Sequence, residues 1–152
     1  MVDWTPIKGI VTQGHGVASG QGGDRRYPRG TIELQKPVFA ARGVPIDRYF
    51  SGTLNLSIKP YQYAVNSSKY TLRNVKWTAG DLTEDFSFFD CNIIQNDGRK
   101  LDGLIYYPHP ETKPEHFQAP EVLEILTYYI DGLKYGDELI LEVNPTQITI
   151  GK

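Results

Sequence analysis

Along the chain, Leu54, Leu56 and Ile58 alternate with Thr53, Asn55 and Ser57. This two-residue period predicts a strand with one buried face, entered through Gly52. Ile7 to Thr12 reads as an earlier strand, ended by Gly14 and Gly16. Thr31 to Leu34 fits a short strand, and Pro37 to Gly43 a brief helix closed by its glycine. Tyr70 to Trp77 alternates as a strand whose inward face the pattern leaves open. Asp85 to Ile94 predicts a long strand with Phe86, Phe88, Asp90 and Asn92 on one side. Asn96-Asp97-Gly98 then marks a hairpin turn before Leu101 to Tyr107. Glu121 to Ile130 fits a helix by the spacing of Val122, Ile125, Leu126 and Tyr129, and a strand by its β-rich ending, so both readings stand. Glu138 to Val143 predicts a further strand, and Thr146 to Ile150 an edge strand. Many short strands, little helix, no fixed-period repeat and no dividing linker predict a single, mainly β, barrel-like domain over residues 1–152.

Composition narrows the function classes. At 152 residues the chain is long enough to bury a core without staples. A net charge of −2 gives no electrostatic reason to expect nucleic acid or an anionic membrane as partner. No apolar run approaches membrane-spanning length. The single Cys91 excludes an internal disulfide framework and a cysteine-based metal site. With no basic-then-apolar leader in view, the expectation is a cytoplasmic protein. The 10 Tyr and 6 Phe are read first as core and sheet-face residues, and Tyr61, Tyr63, Tyr106 and Tyr107 alternatively as an exposed partner surface.

Two stretches carry candidate chemistry. On the strand through Leu54 to Ile58, Thr53 and Asn55 share the polar face, so a hydroxyl and a side-chain amide can aim oxygen at one spot. Neutral oxygens of this kind suit a hard cation that a phosphate also holds; the plainer alternative is a solvated sheet face. The second stretch is rich in glycine: 7 of the chain's 15 glycines lie between Gly9 and Gly30. Successive amides there can converge on an anion, with Arg25, Arg26 and Arg29 adding charge, or the segment is a solvated surface loop. Neither a Walker A lysine pattern nor Rossmann spacing on a strand-to-helix turn is present. His109 and His116 lie seven apart in a proline-rich loop without a third evident ligand, and read as exposed loop histidines rather than a metal pair.

Three segments, in order, resemble the archaeal CTP-dependent riboflavin kinases. They are Val17 to Tyr27, similar to that family's glycine-rich loop; Gly52-Thr53-Leu54-Asn55-Leu56; and a run from Leu101-Asp102-Gly103 through Tyr106-Tyr107-Pro108 and Glu121 to Leu126 to Leu133-Lys134-Tyr135-Gly136-Asp137. The resemblance implies a six-stranded cradle-loop β-barrel with short helices, in which Glu121 to Leu126 is a strand. It implies transfer of the γ-phosphoryl of CTP, or of another nucleotide, to riboflavin with magnesium, giving FMN. Thr53 and Asn55 would ligate the magnesium. Gly20, Gln21, Gly22, Gly23, Asp24, Arg25 and Arg26 would wrap the nucleotide, with Arg25 or Arg26 as charge partner of the transferred group. Glu124 would lie at the flavin end or near the accepting hydroxyl, with Thr112 and His116 as further flavin candidates. The chain departs from the family at Asp24 and after Leu126, where it reads Thr127-Tyr128-Tyr129-Ile130-Asp131-Gly132 in place of a proline-containing, basic segment. A flavin- or nucleotide-binding module without chemistry on the same barrel is the alternative.

Overall fold

The structure is a computed structural model that describes residues 2–12, 31–77, 83–110 and 120–152. Its strands are β1 (Thr5–Val11), β2 (Leu54–Ser57), β3 (Gln62–Val65), β4 (Tyr70–Val75), β5 (Glu84–Ile94), β6 (Lys100–Pro108), β7 (Val122–Thr127), β8 (Glu138–Val143) and β9 (Ile148–Gly151). One helix, α1 (Thr31–Ala41), stands between β1 and β2. Six strands close an antiparallel barrel in the order β5, β6, β7, β2, β1, β8 and back to β5. Closure leaves no open edge within the ring, which removes the liability of unpaired strand groups.

The length of β5 explains how a seventh strand attaches. One edge of β5 runs along β6 from Phe86 to Ile94. Its other edge serves β4 from Glu84 to Phe88 and β8 from Cys91 to Ile94. The first half of β5 therefore projects past the ring as a two-sided sheet. β3 and β9 pair separately with each other.

Alternation sorts the apolar residues into two cores. Ile7, Val11, Leu56, Phe89, Ile93, Ile105, Leu123, Ile125 and Leu141 fill the interior, with Leu54 packed against them. Gly9 belongs to the same inward set, and a Cβ there would lie 3.1 Å from Leu56, so the strands approach as closely as a side chain permits. The second core lies outside the barrel wall. Ile32 and Phe39 of α1, followed by Val44, Ile46 and Tyr49, cover Leu72, Val75, Phe86, Phe88, Leu104, Tyr106 and Leu126. Phe39 anchors this layer by edge contacts to Phe86 and Phe88, with ring centres 4.9 and 5.2 Å apart.

The helix corrects the expected short strand at Thr31 to Leu34 followed by a brief helix from Pro37. One helix spans both, because Ile32, Gln35 and Phe39 recur at helical spacing and all three are buried. It closes in a Schellman arrangement: Val44 N–H donates to Phe39 O, Gly43 N–H to Ala40 O, and Gly43 has φ +95°. Glu121 to Ile130 resolves as strand β7 over Val122–Thr127. Its helix-like spacing arises because the strand is apolar on both faces, with Leu123 and Ile125 inward and Leu126 under the helical layer. The inward face of β4 was unreadable because the strand is irregular between Leu72 and Val75, with Asn74 at φ 54°.

Candidate functional site

Asn55 and Glu124 occupy opposite positions on β2 and β7, and Glu124 in turn faces Tyr106 on β6. Because Leu54, Leu56, Leu123 and Ile125 point inward, Asn55 and Glu124 fall on the outer wall, where Tyr106 also packs. A polar row thus crosses three strands beside α1. At its far end the Tyr106 hydroxyl donates to Gln35 Oε1 at 2.9 Å, both residues being fully buried. Burial and then the Glu124 carboxylate hold the Tyr106 phenol well above its ordinary pKa, so it stays a neutral donor. The same carboxylate, after burial and Tyr107, raises Tyr63.

The near end of the row carries an anomaly. Asn55 Oδ1 is buried and has no hydrogen-bond partner, the one such side-chain atom among the described residues. A buried acceptor left unmade costs about 1–3 kcal/mol. The backbone of the same residue is satisfied, since Thr12 N–H donates to Asn55 O at 2.9 Å. An amide oxygen held dry beside a carboxylate calls for a donor or a cation, and both oxygens suit a hard metal ion. Thr53 lies two residues earlier, just before β2, and is half-buried. The unpartnered Asn55 Oδ1 is of the donor type that the implied ligand role needs.

Thr53 also lines a cavity of about 230 Å³ at the end of the barrel where β2 begins and β7 ends. Its other walls are Phe50, Gly52, Leu54, Ile125, Thr127, Tyr128, Tyr129, Ile130 and Leu133. Phe50 N–H donates to Thr127 O at 2.8 Å, which ties the chain entering β2 to the end of β7 and shapes this mouth. Phe50 and Tyr129 lie with ring centres 5.5 Å apart, and Tyr49 stands edge-on to Tyr128 at 5.2 Å. Behind them the Tyr49 hydroxyl donates to Asp102 Oδ2 at 2.8 Å and the Thr127 hydroxyl to Asp102 O at 2.9 Å. Burial, and then that carboxylate, raises the Tyr49 phenol.

Of the residues expected at the site, the structure sets Asn55 and Glu124 opposite each other on neighbouring strands, while Thr53 lies just before β2. Gly20, Gln21, Gly22, Gly23, Asp24, Arg25 and Arg26 lie outside the described residues, as do Thr112 and His116. The chain enters that glycine-rich segment from Thr12, beside Asn55, and leaves it at α1, whose Gln35 meets Tyr106. Both described flanks of the segment therefore stand at the polar row.

His109 is not an exposed loop histidine. It is half-buried, with Nε2 2.7 Å from Ser87 Oγ, and its backbone N–H donates to Asp85 O. No cluster of three His, Cys, Asp or Glu side chains is present among the described residues. Tyr106 is buried and Tyr63 and Tyr107 are half-buried in edge contact, so of the four tyrosines considered as a partner surface only Tyr61 is exposed. Cys91 is buried, and burial raises its thiol, which keeps it unreactive. Sequence reasoning missed Gln35, Phe50 and Tyr129. The signal for the last two was an aromatic in each of two segments flanking strands, which is too common to single out.

No family model matches this chain, and no curated protein matches it.

Proposed function

We propose that this chain is a riboflavin-kinase-like phosphotransferase, moving the terminal phosphoryl group of CTP or another nucleoside triphosphate to riboflavin and yielding FMN and the diphosphate. The observation that carries the reading is the buried, unpartnered Asn55 Oδ1 opposite Glu124. An acceptor kept dry at a cost in stability has a reason to persist where a ligand completes it. Thr53 and Asn55 hold the magnesium ion, which when bound supplies charge neutralisation for the phosphate oxygens. Glu124 orients the ribityl hydroxyl or the flavin ring. The hydroxyl oxygen bonds to the γ-phosphorus, the bond from that phosphorus to the β–γ bridging oxygen breaks, and the hydroxyl proton leaves to a base or to water. Such transfer asks the protein mainly for positioning, which neighbouring barrel strands provide. Gly20 to Asp24, with Arg25 and Arg26, complete the nucleotide contacts in this proposal, and the setting is cytoplasmic.

A second reading, a flavin- or nucleotide-binding module without chemistry, is favoured by the uncharged side chains that line the cavity among the described residues. The two separate by assaying FMN formation and riboflavin fluorescence quenching with CTP, ATP and magnesium. Transfer that disappears in both Thr53→Ala and Asn55→Ala, with the fold intact, supports the kinase. Quenching without transfer supports the binding module, and full turnover in both variants removes the kinase proposal.

A further inference from the structure

We infer that Asp102 is a positioning residue for Phe50 and Thr53, acting through the Tyr49 hydroxyl to fix the segment that forms one wall of the cavity. The role rests on the phosphotransferase reading only where magnesium enters. Asn55 lies within β2 and takes its place from pairing with Glu124. Thr53 comes one residue before that strand, so no ladder register places it. The chain from Phe50 to Thr53 has no regular structure, yet Phe50, Gly52 and Thr53 all line the cavity. Something other than a sheet holds that wall.

A closed circuit of three hydrogen bonds does so. The Tyr49 hydroxyl donates to Asp102 Oδ2 at 2.8 Å. At the next residue, Phe50 N–H donates to Thr127 O at 2.8 Å. The Thr127 hydroxyl returns to Asp102, donating to its backbone O at 2.9 Å. One residue of β6 therefore grips both sides of the mouth: its side chain holds the entry to β2, and its backbone holds the end of β7. Lys36 Nζ of α1 adds a further support by donating to Tyr49 O.

Of the three links, the one through Tyr49 ends on a carboxylate, and hydrogen bonds to charged groups are roughly twice as strong as neutral ones. Burial, and then Asp102 itself, raises the phenol, so it stays protonated and keeps donating. The Tyr49 ring is packed independently of this bond, among the residues under α1 and edge-on to Tyr128 at 5.2 Å. Packing houses the ring, and the hydroxyl ties the segment to β6. At the other end Leu54 is paired with Ile125. Only Ser51, Gly52 and Thr53 lie between the two fixed points, so a shift at Phe50 passes directly to Thr53.

The test is NMR relaxation of the full chain and of Tyr49→Phe, Asp102→Ala and Asp102→Asn. In the parent the amides of Phe50 to Thr53 are expected near the rigid-backbone order parameter of about 0.85, and in Tyr49→Phe and Asp102→Ala they fall below about 0.6, while β5 and β8 keep their values. Asp102→Asn retains an acceptor and restores most of the order. Magnesium titrated in the presence of CDP, followed at the Thr53 and Asn55 amides, half-saturates at about 10- to 100-fold higher concentration in the two loosened variants. FMN formation from CTP and riboflavin recovers in them at high magnesium. If Asp102→Ala fails to fold, Tyr49→Phe, which keeps the ring, carries the test. Unchanged order parameters in Tyr49→Phe and Asp102→Ala overturn the positioning role and leave the phosphotransferase reading untouched. Loosening that spreads through β5 and β8 overturns it as well, as does a loosened segment with unchanged magnesium half-saturation. A segment loosened in the variants, with neither a magnesium response at Thr53 nor FMN formation in the parent, upholds the tether and overturns the phosphotransferase reading.

Discussion

Asn55 on β2 stands directly across from Glu124 on β7, and its side-chain oxygen is buried there without a donor. Removing such an acceptor, rather than losing a partner for it, relieves a desolvation cost. Asn55→Leu is therefore expected to leave the free protein as stable as before or more stable by about 1–2 kcal/mol, raising its melting temperature by a few degrees. If the proposed transfer holds, the same substitution is expected to abolish magnesium-dependent FMN formation. A thermal melt without ligand, run beside the transfer assay, checks both; a drop in melting temperature would mean that the oxygen has a partner after all.

Tyr106 and Gln35 are expected to behave as a coupled pair. Tyr106→Phe keeps the ring among Phe39, Phe86 and Phe88 and removes only the hydroxyl that donates to buried Gln35 Oε1. The loss is about 1–2 kcal/mol, since the amide oxygen is left unpaired. In a double-mutant cycle with Gln35→Leu, chemical denaturation should return a coupling of about 0.5–1.5 kcal/mol. Strict additivity would show that the bond contributes nothing.

How much of this was legible in the sequence depends on whether the controlling contact is local. The alternation of Leu54, Leu56 and Ile58 against Thr53 and Asn55 is a local fact, and the inward packing of Leu54, Leu56 and Ile58 that it predicts is what the barrel core holds. The Asn96-Asp97-Gly98 turn was equally local, and Gly98 has φ +88° with its N–H on Gln95 O. Other features depend on the second layer. Ile32 to Phe39 read as two pieces because Pro37 interrupts the helical pattern, whereas burial of Ile32, Gln35 and Phe39 against β5 and β6 holds one helix. The Gln35–Tyr106 bond spans 71 residues, beyond the reach of any periodicity. Glu124 was reached only through a resemblance, and its meaning here comes from register: barrel closure sets it between Asn55 and Tyr106. Nothing in a linear pattern reveals that one amide oxygen is dry.

Gly103 on β6 tests the wall behind the cavity. A Cβ there would meet Leu126 O at 2.8 Å, with Thr127 Cβ at 3.2 Å and Cys91 Sγ at 3.4 Å. The nearest atom is backbone in a paired strand, so it has nowhere to go. Gly103→Ala is expected to cost about 1–3 kcal/mol in urea denaturation. Gly9→Ala is the milder control, because its nearest neighbours at 3.1 Å are atoms of the Leu56 side chain. Equal costs at the two positions would show that the barrel wall shifts as readily as a side chain does.

Asp85 should govern part of the acid stability. Its Oδ1 accepts from the backbone N–H of Asn74 at 2.9 Å, holding that residue at φ 54°, and its Oδ2 accepts from Arg73 Nη1 at 3.0 Å. The Asn74 amide first, then Arg73 and the nearby His109, hold the carboxyl below the ordinary aspartate range in the folded protein. A carboxyl whose folded pKa is depressed binds more protons when unfolded than when folded as pH falls. Its stabilisation is therefore full above the unfolded value near 3.9 and is lost as pH drops through the lower folded value. Asp85→Asn retains an oxygen for Asn74 N–H but has no charge for Arg73 and no proton to take up. Denaturation between pH 7 and pH 2 should show the variant less stable than the parent at neutral pH, and the two curves converging toward the acid end. Parallel curves over the whole range would assign the acid sensitivity to other carboxylates.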